Sequence, residues 1–144
     1  MNARRRRALL TAVHPLLEPG ERVEVTTVVN LSTVSVGRTA MFAVAPSILS
    51  AGSMAVIPAP VPMYLTMTDR RILVHRADPV FAKPVEHTLT LSRAGLVRSE
   101  IRERILNSSF VVSSPEGGTG LRIVFPLLGR KERDAVAAAL PLAA

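Results

Sequence analysis

Across residues 21–31, Val23, Val25, Thr27, Val29 and Leu31 alternate with Arg22, Glu24, Thr26 and Asn30, and Val28 is the single break. A period of two places successive side chains on opposite faces, so this run reads as a half-buried strand and not as a helix. A less regular form of the same pattern marks strands at 62–68, 71–76, 84–91, 108–114 and 121–126. The chain is therefore mainly β. With 144 residues and 48% hydrophobic side chains, it is the size of one domain with a real core.

Turn chemistry pairs some of these strands. Thr68-Asp69-Arg70-Arg71 is a polar hairpin turn in which the Asp carboxylate can accept from amides ahead of it. Glu116-Gly117-Gly118-Thr119-Gly120 predicts a second turn, with glycines free to take positive φ. Residues 96–107 are ambiguous. Val97, Ile101 and Ile105 recur at helical spacing but also fit a strand face, and the hairpin context favours strand. Residues 129–140 read as a helix packing Val136, Ala137 and Leu140, stopped by Pro141. Residues 4–17 form a short helix with Leu9, Leu10, Val13 and Leu17 on one stripe. Four arginines at its start oppose the macrodipole, so its first turn is expected to fray.

Six or seven strands followed by one helix is the order of a pleckstrin-homology-like (PH-like) barrel. The chain resembles bacterial, actinobacterial-type members of that family at Leu17-Glu18-Pro19-Gly20-Glu21, at Leu65-Thr66-Met67-Thr68-Asp69-Arg70-Arg71-Ile72-Leu73-Val74 and at Leu89-Thr90-Leu91-Ser92-Arg93. The resemblance implies a barrel of about seven antiparallel strands capped by a C-terminal helix. It spans residues 17–141 behind a basic segment 1–16, with an apolar insertion at 39–63. It also implies a habit of binding and not a reaction. Phosphoinositide-binding relatives carry several Lys and Arg around the first hairpin and a Trp in the helix. Here that region offers Arg38, and the chain has no Trp.

Residues 39–68 contain no Asp, Glu, Lys, Arg or His, and 41–63 are dominated by Ala, Val, Ile, Met and Pro. A bilayer span needs about 20 apolar residues in unbroken helix. Pro46, Pro58, Pro60 and Pro62 interrupt this stretch, leaving backbone groups that lipid cannot satisfy. Two readings remain. The segment folds over the barrel and extends its core, or Met41, Phe42, Ile48, Leu49, Met54 and Ile57 stay exposed to meet a protein partner or a membrane surface.

The formal charge of +7 is unevenly placed, because Arg4, Arg5, Arg6 and Arg7 supply four of the 18 basic side chains against 11 acidic ones in all. That run is either a solvated tail or an anion contact. Arg98, Arg102 and Arg104 would share a face of a strand over 96–107, forming a second basic stripe interrupted by Glu100. The apolar run after the arginines, residues 8–13, is short for a signal peptide and no small-residue cleavage site follows it, so the chain is expected in the cytoplasm, peripheral to the membrane.

Catalytic chemistry has little to work with. There is no cysteine, which excludes thiol nucleophiles and thiolate metal sites. His75 and His87 are placed to face one another across two strands, but no acid is spaced to complete a metal site with them or with His14. Gly117-Gly118-Thr119-Gly120 lacks the Lys and the following helix of a phosphate loop. No catalytic residue, metal ligand or cofactor is assigned. The reading is a non-catalytic binding or scaffold module that contacts a protein partner or membrane through 41–63 and the basic N-terminus. The alternative is a sequence-independent nucleic-acid-binding protein, for which one Tyr and four Phe offer few stacking platforms.

Overall fold

The structure is a computed structural model that describes residues 1–36, 61–77 and 84–143. Helix α1 (Ala3–Val13) runs into a short 3₁₀ turn, His14–Leu16. Eight strands follow: β1 (Val23–Val36), β2 (Val61–Thr68), β3 (Arg71–Ala77), β4 (Pro84–Ser92), β5 (Val97–Arg98), β6 (Arg102–Glu103), β7 (Asn107–Ser114) and β8 (Gly117–Pro126). A second 3₁₀ turn, Leu127–Gly129, leads into helix α2 (Arg130–Ala139). Arg38, the expected contacts Met41, Phe42, Ile48, Leu49, Met54 and Ile57, and most of the 39–63 insertion lie outside the described residues.

One antiparallel sheet has the strand order β4-β3-β2-β1-β8-β7-β5, with β6 also on β7. The long β1 joins its two halves. Its first part, Val23 to Leu31, pairs with β2, and its second, Asn30 to Val36, pairs with β8. Among the described residues β4 and β5 do not pair with each other, so the sheet stays open where a closed barrel was expected. Closure needs a β4–β5 ladder, but β5 is two residues long and its side away from β7 is taken by the C-terminal segment, where the Arg98 amide donates to the Pro141 carbonyl at 2.9 Å and the Ala143 amide to the Arg98 carbonyl at 2.8 Å.

The alternation read in β1 matches its burial: Val25, Thr27, Val29 and Leu31 are buried while Glu24 and Asn30 are exposed. Val25, Val29 and Leu31 join Leu65, Ile72, Val74, Leu121 and the stacked pair Phe110 and Phe125, whose ring centroids lie 5.5 Å apart. Helix α2 buries Val136, Ala137 and nearby Leu140 against this core. On the other face of β2 and β3, α1 packs Leu9 and Val13 on Tyr64 and Leu73. Strand β2 is therefore covered on both sides, and every residue from Met63 to Thr68 is buried. The first turn of α1 is helical from Ala3 and carries an N-cap, Asn2 Oδ1 accepting from the Arg5 amide at 2.8 Å.

Three local expectations need correction. In the β2–β3 turn it is the Thr68 hydroxyl that accepts from the amides of Arg70 (3.0 Å) and Arg71 (2.8 Å), while Asp69 reaches back to the Arg22 amide at 2.9 Å. The last hairpin turns at Pro115 and Glu116, one step earlier than the glycines suggested, and the Ser114↔Gly117 pair closes it. Gly117 and Gly118 lie in β8 with φ of 89° and 94°. Residues 96–107 are neither a helix nor one strand. Arg98 pairs with Val112 and Arg102 with Ser109, so four steps on one side match three on the other. That extra residue is a bulge, and it reverses which face the next side chains take.

Candidate functional site

The residues that carried the family resemblance assemble into a structural clip. The Glu21 carboxylate, its side chain fully buried, accepts from Arg71 Nε (3.0 Å) and Nη2 (2.6 Å), from the Thr68 hydroxyl (2.6 Å) and from the Glu18 amide (2.9 Å). The Arg71 hydrogen bonds hold this carboxyl well below its ordinary 4.5, at about 2, against the opposing effect of burial. Arg71 Nη2 also donates to the Leu16 carbonyl, Arg70 to the Pro19 carbonyl, and Arg93 to Glu24 and to the Thr68 carbonyl. The 17–21, 68–71 and 93 motifs thus fasten the entry of β1 to the β2–β3 hairpin. Their polar groups are spent on each other.

The bulge decides what the second basic stripe becomes. Arg98, opposite buried Val112, turns toward α2, where its Nε donates to the Ala137 carbonyl at 2.8 Å and Nη1 to the Ser99 carbonyl at 3.2 Å. Beyond the bulge, Glu103 pairs with buried Ser108 and reaches Arg133 of α2 at 2.7 Å, so Arg102 and Arg104 face outward. The three arginines do not share a face. Arg102 and Arg104 instead join Arg122, which sequence reading did not single out.

Together they border an open groove of about 960 Å³ on the outer face of β1, β8 and β7. Its floor is set by register: Asn30 opposite Val124, Val124 opposite Ser109, and Arg122 opposite Val111. The 99–104 segment forms its wall. Ser99 is fixed there by its amide donating to the Val111 carbonyl and by its hydroxyl accepting from the Val111 amide, both at 2.8 Å. Arg102, Arg104 and Arg122 are exposed, their guanidiniums form no hydrogen bond or ion pair with the described residues, and Glu100 is the one acid lining the groove. Three guanidiniums beside Ser and Asn side chains suit phosphate, sulfate or carboxylate groups.

The arginine run lies along exposed α1. Arg6 shares a smaller concavity of about 300 Å³ with Met1, Glu24 and Lys131 of α2. His75 and His87 do face one another, with ring centroids 5.3 Å apart. Burial, and secondarily the charge of His87, lower His75 to about 4, and its Nδ1 has no hydrogen-bond partner. His87 Nε2 lies 2.7 Å from the Thr90 hydroxyl. Among the described residues no three His, Cys, Asp or Glu side chains are grouped to hold a metal. No described helix is long and apolar enough to cross a membrane.

No family model matches the chain, and no curated protein matches its sequence. Among solved structures, one reported as "Critical structural role for the PH and C1 domains of the Vav1 exchange factor" superposes on 95% of this chain with a TM-score of 0.56 at 12% identity. The chain spans 33% of that structure's length. The likeness is one of fold: a mainly antiparallel, open PH-like sheet with a short N-terminal helix and a C-terminal helix.

Proposed function

We propose that the protein is a non-catalytic PH-like interaction module that takes anionic groups of its partner in the groove between Arg102, Arg104 and Arg122. The observation that carries this reading is the convergence of three exposed guanidiniums, without acidic partners among the described residues, on one concave face. These guanidiniums are not held by acids of the described residues, so an anion entering the groove gains charge-assisted bonds without displacing intramolecular ones. Arg4, Arg5, Arg6 and Arg7 supply long-range attraction. Met41, Phe42, Ile48, Leu49, Met54 and Ile57 are proposed as a separate apolar contact.

The test is titration calorimetry with a heparin oligosaccharide at low and high salt. Binding should weaken with salt and fall at least tenfold in the Arg102→Ser/Arg104→Ser/Arg122→Ser variant. Equal affinity in that variant removes the groove from the reading. A loss on deleting 41–63 with the groove intact moves the contact to the apolar segment.

A further inference from the structure

The three most exposed large apolar side chains of the described residues, Leu128, Ile105 and Leu106, sit together at one end of the β7–β8 ladder. Ile105 (87% exposed) and Leu106 (73%) form the tip of the β6–β7 turn, closed by the Arg104 amide donating to the Asn107 carbonyl at 2.8 Å. Leu127 (43%) and Leu128 (93%) leave the same end, because Asn107 and Pro126 are the last pair of the ladder. Two-residue hairpin turns ordinarily carry Asn, Asp or Gly, so Ile-Leu there is contrary to turn chemistry and unexplained by packing.

The two tips are held in register with each other. Glu103, at the base of the first, pairs with Arg133 of α2, which follows the second, at 2.7 Å. Around them lie Arg102, Arg104, Arg130 and Lys131, all exposed and without ion pairs among the described residues. Lys131 also borders the concavity that holds Arg6, where Glu24 and Glu132 lie beside the two cations.

We infer that this end of the molecule inserts into an anionic lipid bilayer, with Ile105, Leu106 and Leu128 entering the acyl boundary and the cations engaging headgroups. The inference deepens the binding-module reading by naming its partner. The side chains project from turns and line neither of the two concavities described above, which suits a fluid apolar phase better than a structured protein groove. A second copy of the chain would bring the same cations face to face, and the formal charge of +7 opposes that. An anionic membrane is complementary in both respects. Each cation near its surface strengthens binding by about fivefold, and burying two Ile or Leu side chains adds on the order of a hundredfold.

The test is co-sedimentation of the full chain with phosphatidylcholine vesicles, pure or containing about one-third phosphatidylserine. Because the chain has no Trp, a Leu106→Trp variant reports the environment of the tip directly. The inference predicts pelleting with the anionic vesicles alone, a blue shift of Leu106→Trp emission, and quenching by brominated acyl chains. It also predicts a roughly hundredfold weaker partition for Ile105→Ser/Leu106→Ser, with heparin affinity unchanged. Pelleting without a shift in Trp emission, or an Ile105→Ser/Leu106→Ser variant that pellets like the wild type, overturns it. Heparin binding without pelleting overturns the bilayer and leaves the anion groove standing. Loss of both overturns the binding-module reading as well, and a tip-dependent dimer in sedimentation assigns the surface to a second copy.

Discussion

Replacing Arg71 by Met should destabilise the protein by about 3 kcal/mol at neutral pH, and the loss should shrink on acidification. The magnitude follows from the Glu21 carboxyl, which is fully buried and held at about 2 where an ordinary one titrates at 4.5. That displacement corresponds to about 3 kcal/mol. It agrees with the 3–5 kcal/mol typical of removing one partner from a buried ion pair. The Glu21 pKa is lower folded than unfolded, so its stabilisation is complete above about pH 4.5 and is lost as pH falls through 2. Urea unfolding of wild type, Arg71→Met, Glu21→Gln and the double variant between pH 7 and pH 3 measures this directly, with pH 7 taken as the reference. The double-mutant coupling should be about 2–3 kcal/mol at neutral pH and decline at the acid end. A coupling below about 1 kcal/mol, or one that does not change with pH, would refute the argument that this clip fastens β1 to the hairpin.

Other consequences are independent of that clip. His75 is lower in the folded state, at about 4 against 6.5, so both states are neutral above 6.5 and only the unfolded chain takes up the proton as pH falls toward 4. Stability should drop by up to about 3 kcal/mol across that window, and His75→Leu should flatten the drop in chemical denaturation. A Cβ at Gly120 would meet Val36 Cγ2 at 2.7 Å and the Val112 carbonyl oxygen at 2.8 Å. Gly120→Ala should therefore cost about 1–3 kcal/mol by overpacking, measured by thermal melting. Leu9→Ala should cost about 2–4 kcal/mol, because Leu9 is fully buried against Tyr64 and Leu73. An effect under about 0.5 kcal/mol would mean that α1 adds nothing to the core.

The strands with a clean period of two were legible because half-burial leaves that signature, as in β1. Strand β2 reads less clearly for the opposite reason. Once α1 covers its outer face, Tyr64, Thr66 and Thr68 are buried along with Met63, Leu65 and Met67, and burial no longer alternates. The Glu21–Arg71 pair joins residues 50 positions apart, and nothing local announces it. The basic stripe failed at one residue. Without the bulge between Arg98 and Arg102, both would lie on one face, and a bulge has no marker in Ser99-Glu100-Ile101. Arg122 was within reach, since it is an outward position of the strand at 121–126, and pairing the last hairpin would have set it opposite Val111.

The central claim is that an anion enters the groove on β1, β8 and β7, and amide chemical-shift mapping of the full chain titrated with a heparin oligosaccharide addresses it most directly. The account predicts saturable shifts centred on Arg102, Arg104, Ser109 and Arg122, diminishing with added salt. Shifts confined to Arg4, Arg5, Arg6 and Arg7, or to the 41–63 segment, with the groove silent, would contradict it.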